Sequence, residues 1–523
     1  MRDLHLPGRS PVYATNGMAA TSSPLASKVA IQILEAGGNA VDAAIAAAIL
    51  QSLTEPAMTS IGGDCFVLLS KPGEEVIALN GSGRAPAGLD AAKLREQRIT
   101  KLERGSVHSV TIPGAIDAFC RLSADHGKLG LKAALAPSIY YMRAGIPVSD
   151  RNAVDWVMGA QHLQGDARKF YLNKGEPFKR GQIFAQPNQA EVLEIIADKG
   201  RDGFYDGPVM EDMLRSLQEY GGTHQAADFQ NTACEYTQPV SGHYGDFELV
   251  EHPPNGQGAT AILMTNMMAH FDIASMDPFG SERAHIEAEI AKLAYDARDR
   301  FIADQATRME HMLAPETAEK LAALIDPKRA MDNLGKKADG IHKDTICLSV
   351  VDKDRMSVSM IYSCYTKFGS GIASSKYGIN FQNRGMGFTL EEGHPNEAGG
   401  GKRPLHTIIP GMLRKDGETI APFGVMGGGY QPNGHARFLS NIQDFGMDPQ
   451  EAIDAPRSFA DADTLKLERG YSEEVIQKLT DLGHNVTIPD EPIGGAQTVW
   501  IDEENGCLIG ASDHRKDGLA LGY

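Results

Sequence analysis

The sequence has no long hydrophobic run and no cluster of basic residues. Its most apolar stretch, residues 40–50, is interrupted by Asp42 and falls well short of the roughly 20 residues that a membrane-spanning helix requires. Acidic residues outnumber basic residues by 68 to 50, which gives a net charge of −18, and a surface of that sign repels phosphate backbones. These absences argue against both a membrane and a nucleic acid as a partner.

Cysteines are few, and neither they nor the four histidines named below are spaced as metal ligands. The chain has six cysteines and no CxxC pair, and a chain of this length does not need disulfides, so reduced thiols are predicted. Four histidines are candidate ligands by residue type but do not form a set at metal spacing: His5, His342, His394 and His406. We therefore predict no catalytic metal and no cofactor. Residues 1–9 lack the apolar core of a secretory signal, which predicts a cytoplasmic protein.

The chain does contain enough apolar sequence for a large core. Its 523 residues are 42% hydrophobic and 23% charged, which is typical of a folded protein with several domains or with one large layered enzyme fold. Two helices are predicted near the N-terminus, capped by Ser23 and Asn39, and a strand pair follows within residues 61–79. Residues 110–320 have a largely helical pattern, whereas the last third is β-rich and punctuated by glycine.

A polar, glycine-bearing stretch at residues 326–344 separates the helical region from a predicted β-hairpin. Such a stretch is typical of an exposed segment. The hairpin consists of residues 345–351 and 356–362, which a four-residue turn joins. Thr345 therefore opens a strand directly after a predicted exposed segment.

This position of Thr345 suits an enzyme whose nucleophile is a newly made N-terminus. A threonine hydroxyl is a weak nucleophile, but the α-amino group freed by cutting the preceding bond has a pKa of about 8 and can act as its base. The β-methyl group also restricts χ1 and so fixes the direction of the hydroxyl. From the residues alone, the alternative that Thr345 merely opens an ordinary hairpin stays open.

Motifs along the whole chain bear on that choice. They are GGNAVDAA at 37–44, DTICLSVVDKD at 344–354, FGSGI at 368–372, KRPL at 402–405, GG at 427–428, DAPR at 454–457 and GASDHR at 510–515. Together, and in this order, they resemble the γ-glutamyltransferase family. The residues around 382–385, 404–407 and 427–432 resemble the branch of that family that includes oxamate amidohydrolase.

The resemblance implies an α+β fold, the four-layer αββα sandwich of N-terminal-nucleophile hydrolases. It also implies that the chain cuts itself between Asp344 and Thr345. The fragments, residues 1–344 and 345–523, would remain together as a heterodimer that forms one αββα unit and could dimerise further. Thr345 would attack an amide carbonyl of a small-molecule substrate and form an acyl-enzyme.

The same resemblance assigns supporting roles to a serine and a glycine pair. Gly427 and Gly428 fall where the family has the backbone amides of its oxyanion hole, a place where glycine permits close approach. Ser363 falls where the family has a hydroxyl that supports the nucleophile. A plain turn for the glycines and an outward-facing strand position for the serine are the alternatives.

The substrate-binding positions differ from those of members that accept γ-glutamyl compounds. Those members hold the substrate's α-carboxylate with an early arginine and its α-ammonium with Asn, Gln and Asp. The corresponding residues here are Tyr365, Arg384 and Gly387, with His406 and Thr407 after KRPL, and Ser82 at the early position, two residues before Arg84.

This rewritten set predicts an anionic substrate without an ammonium group. An ammonium at about 4 Å from Arg384 would cost roughly 4 kcal/mol at an effective dielectric constant near 20. A carboxylate would instead gain a two-pronged partner, with Tyr365, His406 and Thr407 as hydrogen-bond donors and Arg84 as a further candidate. We therefore predict hydrolysis of an oxamate-like amide. A surface salt bridge is the alternative for Arg384.

Other functions stay open at this point. Glu391 or Glu392 could compensate Arg384 and restore γ-glutamyl hydrolysis or transfer, as with glutathione, and a glutaryl- or cephalosporin-type acylase shares several replacements. The short segment at residues 388–402 favours hydrolysis over transfer, because a short lid admits water. A non-catalytic binding protein is a third possibility. Nucleotide binding through GVMGGG at 424–429 lacks a P-loop lysine or a Rossmann acid.

Overall fold

The computed structural model describes residues 5, 8–305, 308–331 and 343–523. The middle of the predicted exposed stretch, residues 332–342, lies outside the described residues, and so does His342 of the histidines considered above. Among the helices of the described part, none is long and apolar enough to cross a bilayer.

The helices, in chain order, have the following bounds. They are α1 Pro24–Glu35, α2 Ala40–Thr54, α3 Ala91–Glu96, α4 Ala115–His126, α5 Leu131–Ala144, α6 Asp150–Ala160, α7 Ala167–Tyr171, α8 Pro187–Lys199, α9 Asp202–Tyr205, α10 Gly207–Glu219, α11 Ala226–Gln230, α12 Gly258–Met268, α13 Ser281–Phe301, α14 Met309–Leu313, α15 Pro315–Ala322, α16 Gln431–Gln443, α17 Pro449–Asp454 and α18 Glu473–Asp481. Short 3₁₀ helices at Arg384–Gly387 and Gly428–Tyr430 belong to the site described below.

The strands, in chain order, have the following bounds. They are β1 Val12–Ala14, β2 Met18–Thr21, β3 Asp64–Ser70, β4 Ile77–Gly81, β5 Ile146–Pro147, β6 Ile183–Phe184, β7 Glu235–Thr237, β8 Val240–Tyr244, β9 Phe247–Glu251, β10 Lys343–Val351, β11 Ser357–Thr366, β12 Pro410–Lys415, β13 Glu418–Met426, β14 Ser458–Asp461, β15 Thr464–Leu467, β16 Val486–Thr487, β17 Gly495–Asp502, β18 Cys507–Ser512 and β19 Leu519–Gly522.

Two antiparallel sheets form the centre of the molecule. Within the described residues each has seven strands, in the orders β1-β18-β17-β13-β12-β9-β8 and β19-β2-β10-β11-β3-β4-β7. The sheets face each other, because β10 and β11 of one contact β13 of the other. A buried apolar cluster lies between them, made by Phe66, Cys347, Ile361, Ile408 and Met426. Burying such side chains contributes about 1.5–3 kcal/mol for each large one.

Helices cover both outer faces of the pair of sheets. Helix α2 contacts β10 and β11 on one side, and α12 and α16 contact β8, β9 and β13 on the other. Every residue of α2 is buried, which explains why this helix consists mainly of alanine and aliphatic residues. Asn39 and Asp42 close its N-terminus with a capping box. The result is the predicted four-layer αββα arrangement.

The predicted hairpin is present, and Thr345 lies at an irregularity within it. β10 pairs with β11, with Ser349 opposite Ser359, and the register shifts between Asp344 and Ile346. A bulge of this kind re-aims the side chain of the extra residue. Thr345 is buried, at 2% exposure, so the strand presents its hydroxyl to the interior and not to bulk solvent.

Residues before and after position 344 contribute strands to both sheets. In the second sheet, β10 lies between β2 of the earlier stretch and β11 of the later one, and β11 pairs in turn with β3. The predicted helical region also contains β8 and β9, which belong to the first sheet, and β7, which belongs to the second. The strands at residues 235–251 were not predicted. β7 and β8 are short, partly exposed edge strands, which carry little apolar signal, and β9 is buried but only five residues long.

Candidate active site

Thr345 and Ser363 form the centre of the candidate site. Thr345 Oγ1 donates a hydrogen bond to Ser363 Oγ at 3.3 Å, across the β10–β11 pair. Ser363 is fully buried, so the alternative of an outward-facing strand position is wrong. Its oxygen also accepts from the Tyr365 backbone N–H at 2.8 Å and from Arg384 Nη2 at 3.3 Å. One serine oxygen therefore connects the candidate nucleophile to the candidate anion-binding arginine.

Arg384 lies in the 3₁₀ helix Arg384–Gly387 and is fully buried. Its Nη1 donates to Thr407 Oγ1 at 3.1 Å, and its guanidinium stacks over the Tyr365 ring at 4.1 Å from the centroid. Its Nε has no hydrogen-bond partner among the described residues. The alternative of a surface salt bridge is wrong, because this cation is buried and contacts neutral groups.

Burial determines the electrostatics of Arg384. Desolvation lowers its pKa to about 10, which Tyr365 and Asp64 partly oppose. A guanidinium with that pKa is still charged at neutral pH. Tyr365, whose ring lies against it, has a φ of 82°, a conformation that is unfavourable for a residue with a Cβ. The ring of Tyr365, a residue with an unfavourable backbone conformation, therefore covers one face of the buried Arg384 guanidinium.

Asp64 and His406 lie beside this arginine. His406 Nε2 is 3.4 Å from Asp64 Oδ2, and both side chains are fully buried. Asp64 Oδ1 accepts hydrogen bonds from the Gly83 and Gly114 backbone N–H groups and from Gln382 Nε2, at 2.9, 3.0 and 2.8 Å. Burial raises the pKa of Asp64 to about 6, and Arg384 partly opposes this shift.

His406 is neutral in this environment. Burial, followed by the charge of Arg384, lowers the pKa of the imidazole well below its usual value. Its Nδ1 accepts from the Ile408 backbone N–H at 3.4 Å, which places the ring proton on Nε2, toward Asp64. His406 therefore adds a donor to the site and no positive charge.

The glycine pair follows strand β13 and has a conformation that other residues avoid. Gly427 has a φ of 122° and Gly428 a φ of 57°. A Cβ on Gly427 would lie 3.0 Å from the Gly494 Cα. Glycine is therefore required here by backbone geometry, which is compatible with an oxyanion hole and with a tight turn.

The glycine turn also connects a strand to a helix, a context that the nucleotide alternative requires. β13 is followed by Gly427, the 3₁₀ helix Gly428–Tyr430 and then α16. The turn has no lysine, and β13 belongs to an antiparallel sheet, unlike the parallel βαβ unit of dinucleotide-binding folds. The strand-to-helix context required for nucleotide binding is therefore present, but the lysine or acidic residue that would bind the nucleotide is absent from the turn.

Gln257 is a buried residue of the site that sequence reasoning missed. Its Nε2 donates to the carbonyl oxygens of Thr407 at 2.7 Å and of Gly428 at 3.0 Å. Its Oε1 accepts from Arg298 Nη1 at 3.0 Å. Gln257 thus links the segment of Thr407 to the glycine turn. The available signal was a polar residue between Gly256 and Gly258, directly before an apolar helix.

Arg84 is the predicted substrate residue that the structure does not bring to this cluster. Its guanidinium pairs with Glu235 at 2.8 Å and with Asp304 at 3.2 Å, and the side chain is 40% exposed. Two carboxylates compensate its charge, so it is not available in this arrangement as a second anion-binding arginine. Glu391 and Glu392, the residues proposed to compensate Arg384, are both exposed, whereas Arg384 is fully buried.

The architecture and the site together define a class of protein. A four-layer αββα sandwich, in which a buried threonine near the start of a central strand faces a buried serine, is the N-terminal-nucleophile hydrolase fold. The family model described as gamma-glutamyltranspeptidase matches residues 26–523. The chain therefore belongs to the gamma-glutamyltranspeptidase family and is one of its enzymes, which confirms the predicted family and fold class.

Several relatives match this chain over nearly its whole length. The glutathione hydrolase-like YwrD proenzyme of Bacillus subtilis (strain 168) is 32% identical, over 98% of this chain and 99% of the relative. The oxamate amidohydrolase proenzyme of Klebsiella pneumoniae is 31% identical, over 98% and 99%. Among solved structures, cephalosporin acylase from Bacillus halodurans superposes with a TM-score of 0.93 at 34% identity, over 100% of this chain and 98% of that one.

Proposed function

We propose that this enzyme cuts its own chain between Asp344 and Thr345 and then hydrolyses the amide of a small substrate that bears a carboxylate and no ammonium, of the oxamate type. The observation that carries the proposal is Arg384, a fully buried cation that contacts the same serine as Thr345. Burying a charge costs several kcal/mol unless a partner compensates it. Asp64 lies near Arg384 but does not accept a hydrogen bond from it among the described residues, so a substrate carboxylate would be the direct partner.

The geometry favours a short substrate. Arg384 Nη2 and Thr345 Oγ1 each lie 3.3 Å from Ser363 Oγ, so a molecule bound between them needs only a short spacer from its carboxylate to its amide carbonyl. In oxamate these two groups are directly bonded. The Arg384 Nε, which lacks a partner among the described residues, and Nη2 can together donate to two carboxylate oxygens.

The chemistry then follows from the nucleophile. Once the bond before Thr345 is broken, the free α-amino group takes the proton of Oγ1, and Oγ1 attacks the amide carbonyl. Backbone N–H groups of Gly427 and Gly428 would stabilise the resulting oxyanion. The C–N bond breaks, the leaving nitrogen receives the proton from the α-ammonium, and ammonia departs. Water then adds to the acyl-enzyme ester and releases the second carboxylate.

A dicarboxylic-acyl acylase is the second candidate, favoured by the likeness to cephalosporin acylase. A glutaryl group also presents a carboxylate without an ammonium, so Arg384 would serve it equally well. The two candidates differ in the spacer between carboxylate and amide. γ-Glutamyl hydrolysis, which the names of several relatives suggest, would place an ammonium near Arg384, at a cost of roughly 4 kcal/mol if the two lie about 4 Å apart.

The test is a comparison of three amides on one enzyme. Oxamate, glutaramate and γ-glutamyl p-nitroanilide are compared by kcat/KM, with ammonia or nitroaniline release as the signal. We expect oxamate to be preferred and Arg384→Gln to lose about 100-fold or more. The matched control is Arg84→Gln, which we expect to change kcat/KM less than about threefold because Arg84 pairs with Glu235 and Asp304. Preference for the γ-glutamyl compound, undiminished in Arg384→Gln, would overturn the proposal.

A further inference from the structure

A second cluster of buried polar groups contains three metal-ligating side chains. His285 and Glu289 lie one turn apart on α13, and His484 follows α18. One ligand atom of each lies within 4.8 Å of those of the other two, and all three residues are buried. His285 Nδ1 is 2.8 Å from His484 Nε2, which in turn is 4.0 Å from Glu289 Oε1. The four histidines considered from sequence did not include this pair.

The surroundings of His285 fix which of its nitrogens can bind a cation. Its Nε2 lies 2.8 Å from the Asp326 carbonyl oxygen. A carbonyl only accepts, so Nε2 carries the ring proton and Nδ1 presents a lone pair toward the cluster. Metal-ligating histidines almost always donate their other ring N–H to a carboxylate, a backbone carbonyl or water, and this contact fixes the orientation of the ring.

We propose that His285 Nδ1, His484 Nε2 and Glu289 Oε1 bind a divalent transition metal of the zinc class. Two imidazoles and one carboxylate suit Zn²⁺ or Co²⁺, and water supplies the fourth ligand. Each ligand donates a lone pair. The proton now on His484 Nε2 moves through solvent to Nδ1 of the same ring. The imidazole of His484 is therefore neutral before and after the metal binds, and no proton is released to solvent overall.

Only small shifts separate the present geometry from a coordinated one. Two nitrogens bound tetrahedrally at about 2.0–2.1 Å stand roughly 3.3 Å apart. The two imidazole nitrogens, now at 2.8 Å, must separate slightly, and Glu289 Oε1, now at 4.0 Å from His484 Nε2, must approach. Glu289 Oε2 is already oriented by the Met331 backbone N–H, which donates to it at 2.7 Å.

A lysine competes for this site and sets its affinity. Lys292 Nζ lies 2.7 Å from Glu289 Oε1 and 3.0 Å from the Met331 carbonyl oxygen. A divalent cation on Oε1 must displace this ammonium, so the native site binds more weakly than the ligand set alone would. Removal of the ammonium therefore strengthens metal binding, an effect that a purely hydrogen-bonded network has no reason to produce.

The site would join parts of the chain on both sides of position 344. His285 and Glu289 precede it and His484 follows it. The Asp326 carbonyl and the Met331 backbone belong to the last described residues before the gap, and the Ala330 N–H donates to the Leu482 carbonyl nearby at 2.8 Å. A metal here would be structural and would hold residues 326–331 against the later part of the chain.

The test is metal binding by the purified, EDTA-treated full-length protein. We expect one equivalent of Zn²⁺ per chain with a micromolar or lower Kd by calorimetry, and a Co²⁺ complex with the visible absorption of a tetrahedral site. His484→Gln keeps a side-chain donor for His285 Nδ1 but removes a ligand, and we expect it to weaken binding by about 100-fold. Lys292→Met should strengthen binding about tenfold or more.

The matched control is His270→Gln, which alters an exposed histidine and should leave binding unchanged. The proposal is overturned if the wild-type protein takes up no Zn²⁺ and gives no tetrahedral Co²⁺ spectrum, or if His484→Gln binds as tightly as wild type. The Co²⁺ measurement on wild type stands by itself, so a variant that fails to fold does not prevent a decision. Amide turnover is not the readout, so this result is independent of the proposed function.

Discussion

Two regions within residues 345–523 bury arginines in opposite ways. Near the end of the chain, Arg457 pairs with Asp513 at 2.5 Å and Arg515 pairs with Glu468 at 2.6 Å, with all four side chains nearly inaccessible. Arg384 is at least as buried but contacts a serine, a threonine and a tyrosine ring.

The pKa shifts follow this difference in partners. Asp513 and Glu468 outweigh burial and raise the pKa of Arg515, whereas burial outweighs its neighbours and lowers the pKa of Arg384 to about 10. The charges of Arg457 and Arg515 are thus neutralised by buried carboxylates of the folded protein itself. Arg384 has Asp64 nearby, but within the part of the chain that the structure describes its hydrogen bonds go to Ser363 and Thr407 and not to a carboxylate. A buried arginine without a hydrogen-bonded carboxylate, next to a candidate nucleophile, is therefore a candidate binding group.

The largest expected effect comes from removal of the candidate nucleophile, without which the contact network of Arg384 has no reaction to serve. Thr345→Ala removes the hydroxyl, so we expect no amide turnover and one band of about 56 kDa on a denaturing gel, instead of fragments of about 37 and 19 kDa. Thr345→Ser keeps a hydroxyl and serves as the control, for which partial cutting and turnover are expected. Undiminished cutting or turnover in Thr345→Ala would contradict the assignment of the nucleophile.

The next effect contrasts the two kinds of buried arginine directly. Asp513→Asn leaves Arg457 and Arg515 short of a carboxylate, so we expect a loss of about 3–5 kcal/mol in the free energy of unfolding. Arg384→Met removes a buried cation whose hydrogen bonds go to neutral hydroxyl groups, and we expect stability to be equal or higher while activity is lost. Denaturant titration of both variants measures this, and equal destabilisation of the two would remove the basis of the comparison.

A pH series sharpens the comparison at Asp64, the acid nearest to Arg384. Burial raises the pKa of Asp64 from 3.8 to about 6, so the folded state binds this proton more tightly than the unfolded state. Its contribution to stability is full below about pH 4 and is lost as the pH rises through 6, a change of about 2–3 kcal/mol. Asp64→Asn should lack this change. Parallel stability profiles for wild type and variant between pH 4 and 7 would refute the shift.

The smallest effect concerns Gln257, which holds the glycine turn to Thr407. Gln257→Glu keeps the shape and the contact with Arg298 but cannot donate to the Thr407 and Gly428 carbonyl oxygens. We expect kcat to fall about tenfold with little change in KM, because in the proposed mechanism the turn supplies the oxyanion donors and does not bind the ground state. The exposed Gln97→Glu is the control. A change in KM alone would place Gln257 in ground-state binding.

Local patterns in the sequence were enough to predict the elements that carry the site. The hairpin followed from two apolar runs around a four-residue turn, and α2 followed from Asn39 and a stretch that is apolar on nearly every face. Resemblance to a family then drew attention to Ser363, Arg384 and Thr407, which the structure brings into contact.

What could not be predicted depends on residues far apart in the chain. Arg84 is engaged by Glu235 and Asp304, 151 and 220 positions away. Gln257 acquires its role only when α12 meets the glycine turn, and His285 meets His484 across 199 positions. No periodicity or spacing reports such pairings, because they are set by the packing of layers.

Each sheet contains strands from before and after position 344, and this has a consequence for production of the protein in pieces. If residues 1–344 and 345–523 were translated from separate messages, the first product would lack β10 and β11, which stand between β2 and β3. Each half would carry unpaired strand edges and an uncovered apolar face, which are the features that cause aggregation. A continuous chain at synthesis keeps the two halves at high local concentration until the sandwich has closed.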